Sequence, residues 1–198
     1  LRTAAILDYE NHSSHTVRIR VSDQHNYFLD KNFTIQVQDM DEGTAPALGD
    51  GSEENPYQIH SLAHLKWLSF TESVWEDKHF IQTSDINATD TKNWANGYGF
   101  RPIGNYHGYF EGNFDGQRNK IFGLFVNRPR GTHAAGLFSI AKNATLANIS
   151  IIDGNISTND VAGGLVGITE SNTSIYACSF EGIVKGANMV GGLIGRHG

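Results

Sequence analysis

Three glycine-rich stretches near the end of the chain decide its fold: AGLFSI at 135–140, GGLVGI at 163–168 and GGLIGR at 191–196. Their first residues, Ala135, Gly163 and Gly191, are equally spaced along the chain, with a period of 28. Self-similarity at a fixed period of roughly 20–50 residues is typical of solenoids and propellers. The three stretches are therefore predicted to occupy equivalent positions in successive structural repeats.

The residues between these stretches predict short strands joined by polar turns. In one unit, Leu165, Val166 and Ile168 form an apolar strand, and a polar turn follows at 169–174. Further inward-facing side chains are predicted in this unit and the preceding one: Leu137, Leu146, Ile149, Ile151, Ile156, Ile175, Cys178 and Phe180. A turn is predicted at Glu181-Gly182, followed by another strand at Ile183 and Val184. No segment is long enough for the crossover helix that a βαβ unit needs.

We therefore expect an all-β fold, a right-handed parallel β-helix in which each repeat adds one turn to the solenoid. A propeller blade is the main alternative, but it needs about 40 residues and four antiparallel strands. Offsets between equivalent apolar residues drift by one position either side of the period, which turns can absorb.

The composition of the chain argues against two classes of protein. Fifteen basic and 21 acidic residues give a net charge of −6, which disfavours nucleic-acid binding because that binding depends on neutralising phosphates. No apolar run approaches the roughly 18–20 residues of a membrane-spanning helix. The 22 glycines favour short strands and many turns over a helical bundle.

The segment 1–42 contains two alternating stretches. Val17, Ile19 and Val21 fall on one face of a predicted strand, and NFTIQVQ at 32–38 repeats the pattern. A polar loop at 23–30 separates the two strands. Such a pair cannot bury a core alone, so further strands preceding Leu1 are expected to complete a β-sandwich.

The segments LDYE (7–10), VRIRVSD (17–23) and FTIQVQDMDE (33–42) together resemble the final third to half of a bacterial cadherin-like repeat. Cadherin repeats are calcium-binding β-sandwiches arranged in tandem, and the resemblance implies a Ca²⁺ site with Asp8, Glu10, Asp39 and Asp41 as ligands. The chemistry is compatible, because Ca²⁺ prefers several carboxylate oxygens. The alternative is that these are ordinary solvated acids at strand ends.

After a linker at 43–49 (GTAPALG), a short strand at 57–59 and a helix over about 61–70 are predicted. Ser61 is a plausible N-cap, and Leu62, Leu65 and Leu68 recur at helical spacing. The histidines of HSLAH, His60 and His64, have the spacing of a zinc-protease motif but lack its glutamate. They are expected to be surface or packing residues.

Four segments from residue 50 onward resemble, in order and spacing, the region found in secreted bacterial proteins with GLUG repeats. They are DGSEENPYQI (50–59), SDINATD (84–90), RPIG (101–104) and EGNFDGQRNKI (111–121), followed by the GGLVG repeats. Gln117-Arg118 and Ser139 depart from the pattern of the family. The resemblance implies a β-helix.

Taken together, the sequence divides into four parts. The segment 1–42 is interpreted as the C-terminal part of a cadherin-like β-sandwich repeat, and 43–49 as a linker. The segment 50–130 forms the N-terminal cap and first turns of the β-helix, with the helix at 61–70 as the cap. The 28-residue repeats fill 131–198 and stop in mid-unit, so 183–198 are expected to be more exposed than 135–160.

No catalytic residues are predicted. The acids of 131–198 (Asp153, Asp160, Glu170 and Glu181) are scattered over different repeat positions, and Cys178 has no evident base beside it. Five aromatic residues could form a platform for sugars or fill the capping region: Trp75, Trp94, Tyr98, Tyr106 and Tyr109. Binding chemistry is expected on the polar turns at 155–160 and 169–174.

The sequence is therefore interpreted as part of an adhesion protein that is not an enzyme and that acts outside the cell or on the bacterial surface. A calcium-binding cadherin-like spacer would precede a β-helix that displays a binding face. Its partners would be a protein or glycan on a host or neighbouring cell, and flanking repeats of the same polypeptide. Two alternatives remain: a domain of a secreted carbohydrate-active enzyme or peptidase, and a stalk without a ligand.

Overall fold

A computed structural model describes residues 12–37, 41–129 and 134–198 of the chain. The chain forms two compact units, residues 1–41 and residues 42–198. The second unit contains the helix, the repeats and most of the strands.

The first unit contains an antiparallel hairpin of β1 (Ser14–Ser22) and β2 (Phe28–Gln36). Its turn is held by the Asp23 carboxylate, which accepts backbone hydrogen bonds from His25 (2.8 Å) and Tyr27 (3.1 Å). Arg20 and Asp30 face each other across the strands in a bidentate pair, with both N–O distances 2.7 Å. The predicted pair of strands is confirmed.

One face of the hairpin is apolar, as its alternating pattern predicted. Val17 is opposite Phe33 and Val21 is opposite Leu29. Much of this face is exposed, including 66% of Val21 and 72% of Leu29. The further strands of a sandwich remain a prediction, because this face has no cover among the described residues of its own unit.

The second unit opens with β3 (Tyr57–Ile59) and α1 (Leu62–Phe70). Ser61 is the N-cap of α1, and its hydroxyl accepts a hydrogen bond from the backbone N–H of His64 (3.2 Å). A 3₁₀ helix (Glu72–Val74) follows, and Trp75 behind it donates its indole N–H to the carbonyl of Leu68 (2.7 Å). The predicted strand and helix are both confirmed.

The rest of the unit consists of short strands and one further 3₁₀ segment (Thr89–Gly97). The strands are β4 (Glu76–Gln82), β5 (Ile86–Asn87), β6 (Glu111–Asp115), β7 (Lys120–Phe122), β8 (Phe125–Arg128), β9 (Ala134–Ala135), β10 (Phe138–Lys142), β11 (Thr145–Ala147), β12 (Ser150–Thr158), β13 (Val161–Gly163), β14 (Val166–Glu170), β15 (Ser174–Tyr176), β16 (Ser179–Lys185), β17 (Val190–Gly191) and β18 (Ile194–His197). The fold is all-β, as predicted.

The strands of the second unit pair in parallel in four sheets. Their orders are β15-β11-β6-β4-β3, β16-β12-β7-β5 (with β8 also beside β12), β10-β14-β18 and β17-β13-β9. Consecutive strands of the repeats belong to different sheets, and the partner of a repeat strand comes from the equivalent position of the neighbouring repeat. For example, Phe138 is paired with Val166, which is paired with Ile194. The pairing therefore confirms that the three glycine-rich stretches occupy equivalent positions in successive repeats.

The core of this unit runs between the sheets. Aromatic rings fill its first part, where the centroids of Phe110 and Phe138 are 4.9 Å apart and those of Phe114 and Phe138 are 5.9 Å apart. Aliphatic side chains replace them along the repeats. The fully buried ones include Leu137, Leu146, Ile149, Ile151, Ile156, Leu165, Val166 and Ile168, all of which the repeat pattern predicted to face inward.

Burial decreases towards the last strands. Ile175, Cys178 and Phe180, predicted to face inward, pack against the core but are only partly buried. Ile183 and Val184 lie in β16, in agreement with the strand predicted there, but Ile183 is 52% exposed. The greater exposure expected for 183–198 than for 135–160 is observed.

Candidate functional site

A polar surface lies on the outer face of the five-stranded sheet β15-β11-β6-β4-β3. In β4, β6 and β11 the residues Phe80, Phe114 and Leu146 point into the core and are at most 1% exposed. Because side chains alternate across a strand, the residues on either side of each point outward. The core therefore fixes which side chains form this surface.

The strand register sets these outward residues in two rows that cross the sheet. His79 of β4 is level with Asn113 of β6, which is level with Thr145 of β11. The second row is Ile81, Asp115, Ala147 and Tyr176, one residue from each of four adjacent strands. The rows bring together side chains that are far apart in the sequence.

The two rows form the floor of an open groove of about 680 Å³. In the second row the small side chain of Ala147 lies between the larger ones of Asp115 and Tyr176. The groove is lined by Glu53, Pro56, His79, Phe80, Ile81, Asn113, Phe114, Asp115, Thr145, Ala147 and Tyr176.

The polar groups of the groove are held in place by neighbours. Asp115 accepts hydrogen bonds at Oδ1 from the backbone N–H of Gln117 (2.8 Å) and from Nδ2 of Asn148 (2.8 Å), and at Oδ2 from Nε2 of Gln117 (2.6 Å). The side-chain nitrogen of Asn113 lies 3.3 Å from Nε2 of His79. These contacts fix the orientation of the carboxylate and pair the amide with the imidazole.

Charge and exposure define what the groove can accept. Its lining contains two carboxylates, Glu53 and Asp115, and neither lysine nor arginine among the described residues. Tyr176, at one end, is 56% exposed, so its ring is available to a ligand. Such a surface can exchange hydrogen bonds and stack on an aromatic ring, and it repels anions.

The structure leaves most of the predicted calcium site untested. Asp8, Glu10 and Asp39 lie outside the described residues, and Asp41 is exposed. Within the described parts of the chain, no cluster of three or more His, Cys, Asp or Glu side chains could hold a metal ion.

The two histidines of HSLAH pack against each other. The rings of His60 and His64 meet edge to face with centroids 4.3 Å apart, and His64 is 7% exposed. Burial, followed by the nearby charge of His60, lowers the pKa of His64. These contacts agree with the prediction of packing residues.

Cys178 is a half-buried, free thiol that packs against the core. Its sulfur lies 3.3 Å from the carbonyl oxygen of Tyr176. Burial raises the pKa of the Cys178 thiol, which opposes formation of the nucleophilic thiolate. The thiol is thus a packing residue, although less buried than predicted.

The five aromatic residues, for which the sequence left a sugar platform and packing as alternatives, lie in different environments. Trp75 is 1% exposed and belongs to the core, and Tyr109 packs against a smaller cluster that includes Ile140. Tyr98 and Tyr106 are 39% and 49% exposed but do not line the groove. Lys66 lies over Trp94, with its nitrogen 4.5 Å from the ring centroid.

The polar segments predicted as binding turns are partly strand. Residues 155–158 belong to β12, residues 169–170 to β14 and residue 174 to β15, whereas 159–160 and 171–173 lie between strands. The groove instead uses outward residues of β4, β6, β11 and β15, which sequence reasoning missed. A usable signal was present, because polar residues flank a buried apolar one in NFD (113–115), and His79 precedes Phe80 in HFI (79–81).

Comparison with known proteins gives two relatives and no family. No family model and no solved structure matches the chain. The chain is 32% identical over 165 residues, 82% of its length, to Halomucin of Haloquadratum walsbyi. It is 36% identical over 125 residues, 63% of its length, to a protein of Evansella cellulosilytica described as a putative Gly-rich membrane protein.

The matched region is a small part of both relatives. It spans 2% of Halomucin and 14% of the Gly-rich membrane protein. In the described parts of this chain, no helix is both long enough and apolar enough to cross a membrane.

Proposed function

We propose that this chain is part of a secreted or cell-surface adhesion protein, in which residues 42–198 form a right-handed parallel β-helix that displays a ligand-binding face. The observation that carries this proposal is the groove on the outer sheet face. It combines fixed polar side chains with an exposed tyrosine and lies on a rigid, repeating scaffold. A surface that recognises a ligand needs polar groups in fixed positions and a scaffold that holds them there.

The solenoid architecture is supported by the pairing pattern. Strands β13 to β16 follow one another in sequence, belong to four different sheets, and each has a parallel partner in the previous repeat. A chain that winds once per repeat produces this arrangement, with backbone hydrogen bonds between turns. A propeller blade requires antiparallel neighbours, and these pairings are parallel. In this architecture α1 and the residues around it cap the first turn.

A location at the cell surface or outside the cell is supported by the names of the relatives. One is described as a membrane protein and the other as Halomucin. Because the chain matches only a small part of each relative, the proposal of an adhesion role is based on the groove and not on these names.

The first unit is proposed to be a spacer, the C-terminal part of a cadherin-like repeat that binds Ca²⁺ through Asp8, Glu10, Asp39 and Asp41. Its hairpin is compatible with two strands of a β-sandwich. Isothermal titration with Ca²⁺ after EDTA treatment tests the site: heat of binding is expected for the parent chain and none for a variant carrying Asp39→Asn and Asp41→Asn. Equal heats in both proteins would remove these ligands from the proposal.

Display on a non-adherent host cell tests the adhesion function. The chain is fused to a surface anchor, and attachment of the cells to immobilised mucus and to epithelial monolayers is counted. If the chain acts in adhesion, cells that display it attach in greater numbers than cells that display the anchor alone. If attachment does not change, the proposed adhesion function fails. If the displayed chain releases soluble sugars or peptides from the surface, the alternative of an enzyme domain replaces adhesion.

A further inference from the structure

We propose that the groove binds a neutral, extended oligosaccharide, which lies across the strands of the sheet with one sugar ring on Tyr176. This inference rests on the proposed adhesion function and names the ligand class of the same face. Four features of the groove support it: its periodicity, its hydrogen-bonding groups, its charge and its exposed ring.

The periodicity of the groove matches a linear polymer. Neighbouring strands in a sheet are about 4.8 Å apart, so the row from Ile81 through Asp115 and Ala147 to Tyr176 covers three spacings, about 14 Å. Each sugar ring lengthens an extended oligosaccharide by a distance similar to the spacing between two neighbouring strands. One sugar therefore lies over each strand, and the groove accommodates three to four rings.

The polar side chains suit hydroxyl groups, which both donate and accept hydrogen bonds. The Asp115 carboxylate can only accept, while the Asn113 amide and the His79 imidazole offer donors and acceptors. Gln117 and Asn148 hold Asp115 in one orientation through three hydrogen bonds, which leaves about one acceptor position, at Oδ2, for a ligand. Preorganisation of this kind reduces the entropy lost on binding.

The charge of the groove excludes acidic polymers. Glu53 and Asp115 contribute negative charge, and the described lining residues include no lysine or arginine to offset it. Uronic acids, sulfated sugars and nucleic acids are repelled by such a surface. Neutral sugars carry no such penalty.

A peptide strand is disfavoured by the position of the groove. The groove lies on the face of the sheet, where the backbone groups of β4, β6 and β11 are already paired with neighbouring strands. A peptide therefore cannot add as a further strand, the mode that gives many peptide binders their main-chain hydrogen bonds. Its apolar anchors would have few accessible aliphatic partners among the lining residues, chiefly Pro56 and Ile81, since Ala147 is buried.

Tyr176 provides the stacking surface. Its ring is 56% exposed at the end of the row, beside the small Ala147. The C–H face of a pyranose packs on an aromatic face, and the tyrosine hydroxyl can bond to water or to the sugar.

The test is an oligosaccharide array followed by isothermal titration calorimetry. The array holds neutral hexamers of glucose, mannose, galactose and N-acetylglucosamine in several linkages, hexagalacturonate and heparin hexasaccharide as anionic probes, and a set of peptides. The expected result is binding to at least one neutral hexamer. Affinity should rise from the disaccharide to the tetrasaccharide of that sugar and then level off.

Variants assign the binding to the groove. Tyr176→Ala is expected to weaken affinity by about tenfold or more, the scale of one lost aromatic contact, whereas Tyr176→Trp keeps an aromatic ring and retains binding. Asn113→Ala weakens binding independently of the ring. Tyr106→Ala, which removes a comparably exposed tyrosine outside the groove, is expected to leave affinity unchanged. Circular dichroism and melting temperature verify that each variant folds.

Several results would overturn the inference: binding only to the anionic probes, binding only to peptides, no binding to any array member, or neutral-sugar binding that Tyr176→Ala and Asn113→Ala leave intact. The adhesion assay separates this inference from the function on which it rests. If cells displaying Tyr176→Ala attach as well as cells displaying the parent chain, the groove is not the binding site but the adhesion function stands. If the parent chain confers no attachment, the proposed function fails.

Discussion

The ring of Phe180 occupies the space that a side chain at Gly164 would need. A methyl group built on Gly164 would lie 2.5 Å from Cδ1 of Phe180, and it would overlap both Cγ of the same ring and the carbonyl oxygen of Gly192. Gly164 comes from one glycine pair of the repeat, and Phe180 from β16, which follows it. Glycine is required here because of packing, since the φ angle of Gly164 is not in the left-handed region.

Gly164→Ala is therefore expected to destabilise the unit 42–198. Either the ring of Phe180 or the backbone must move, and overpacking of this kind typically costs about 1–3 kcal/mol. Gly192 occupies the same position one repeat later, and a methyl group there would have no atom within 4 Å, so Gly192→Ala is the matched control. Urea unfolding measures both free energies.

The contact itself can be tested with a double-mutant cycle. In a Phe180→Ala background both ring contacts of the added methyl group are absent, and only its contact with the carbonyl oxygen of Gly192 remains. The two substitutions together should therefore cost less than the sum of their separate effects. Equal destabilisation by Gly164→Ala and Gly192→Ala would contradict the packing argument.

The repeat was predictable from sequence because parallel pairing connects residues at a nearly constant interval. AGLFSI, GGLVGI and GGLIGR carry glycine and apolar residues at the same positions, so their pairing through Phe138, Val166 and Ile194 follows from the period. The helix from Leu62 was predictable from local signals, because its cap and its leucines lie within one short segment.

The groove was not predictable because it depends on register between distant strands. His79 and Asn113 become neighbours only after a bulge shifts the pairing of β4 and β6 between Glu76 and His79. A register shift also occurs between β12 and β16, where Ile151 pairs with Phe180 and Gly154 pairs with Gly182. The turn predicted at Glu181-Gly182 is instead part of β16. One inserted residue exchanges the inner and outer faces of a strand, and the sequence does not mark where it occurs.

Ala177 is expected to be a weak point that one substitution improves. It forms the corner between β15 and β16 with φ of 53°, whereas the equivalent corner one repeat earlier is Asn148 with φ of 55°. The left-handed conformation costs most residues roughly 1–2 kcal/mol, and asparagine tolerates it better than alanine. Ala177→Asn should therefore raise the free energy of unfolding by about 0.5–1 kcal/mol.

The control for this prediction is Ala187→Asn. Ala187 is also exposed, and its φ is not positive, so asparagine gains nothing there. Differential scanning calorimetry compares the two variants with the parent. If both substitutions shift the melting temperature equally, the backbone explanation is wrong.

Asp50 is expected to make stability depend on pH in the acid range. Hydrogen bonds from the hydroxyl and the backbone N–H of Ser52, and from the amide of Asn55, lower the pKa of Asp50 to about 2. The folded state then binds the proton less tightly than the unfolded state. The contribution of Asp50 to the free energy of unfolding is complete above about pH 4 and is lost as the pH falls to about 2.

Asp50→Asn should accordingly lower the free energy of unfolding at pH 7, and the difference from the parent should shrink towards pH 2. Glu54→Gln, at an exposed carboxylate of the same loop, is the matched control and should have little effect at either pH. A difference between Asp50→Asn and the parent that is the same at pH 7 and pH 2 would exclude an electrostatic origin. Urea titrations across this range provide the measurement.

His64 is expected to produce a second pH dependence, near neutrality. Burial and the neighbouring His60 lower the pKa of His64, and its Nδ1 lies 3.4 Å from the backbone nitrogen of His60 as an acceptor. The neutral ring is therefore favoured in the folded state. The stability that it contributes is complete above about pH 6.5, the unfolded value, and falls as the pH drops below it.

The slope of stability against pH is the diagnostic for His64, since any substitution at this buried position also changes packing. Between pH 7.5 and 5 the parent should lose stability, and His64→Asn should lose less because it has no group to protonate. His107→Asn, at an exposed histidine, should keep the parent's slope. If His64→Asn also keeps that slope, protonation of His64 is not coupled to unfolding, and the packing of the two rings alone accounts for its burial.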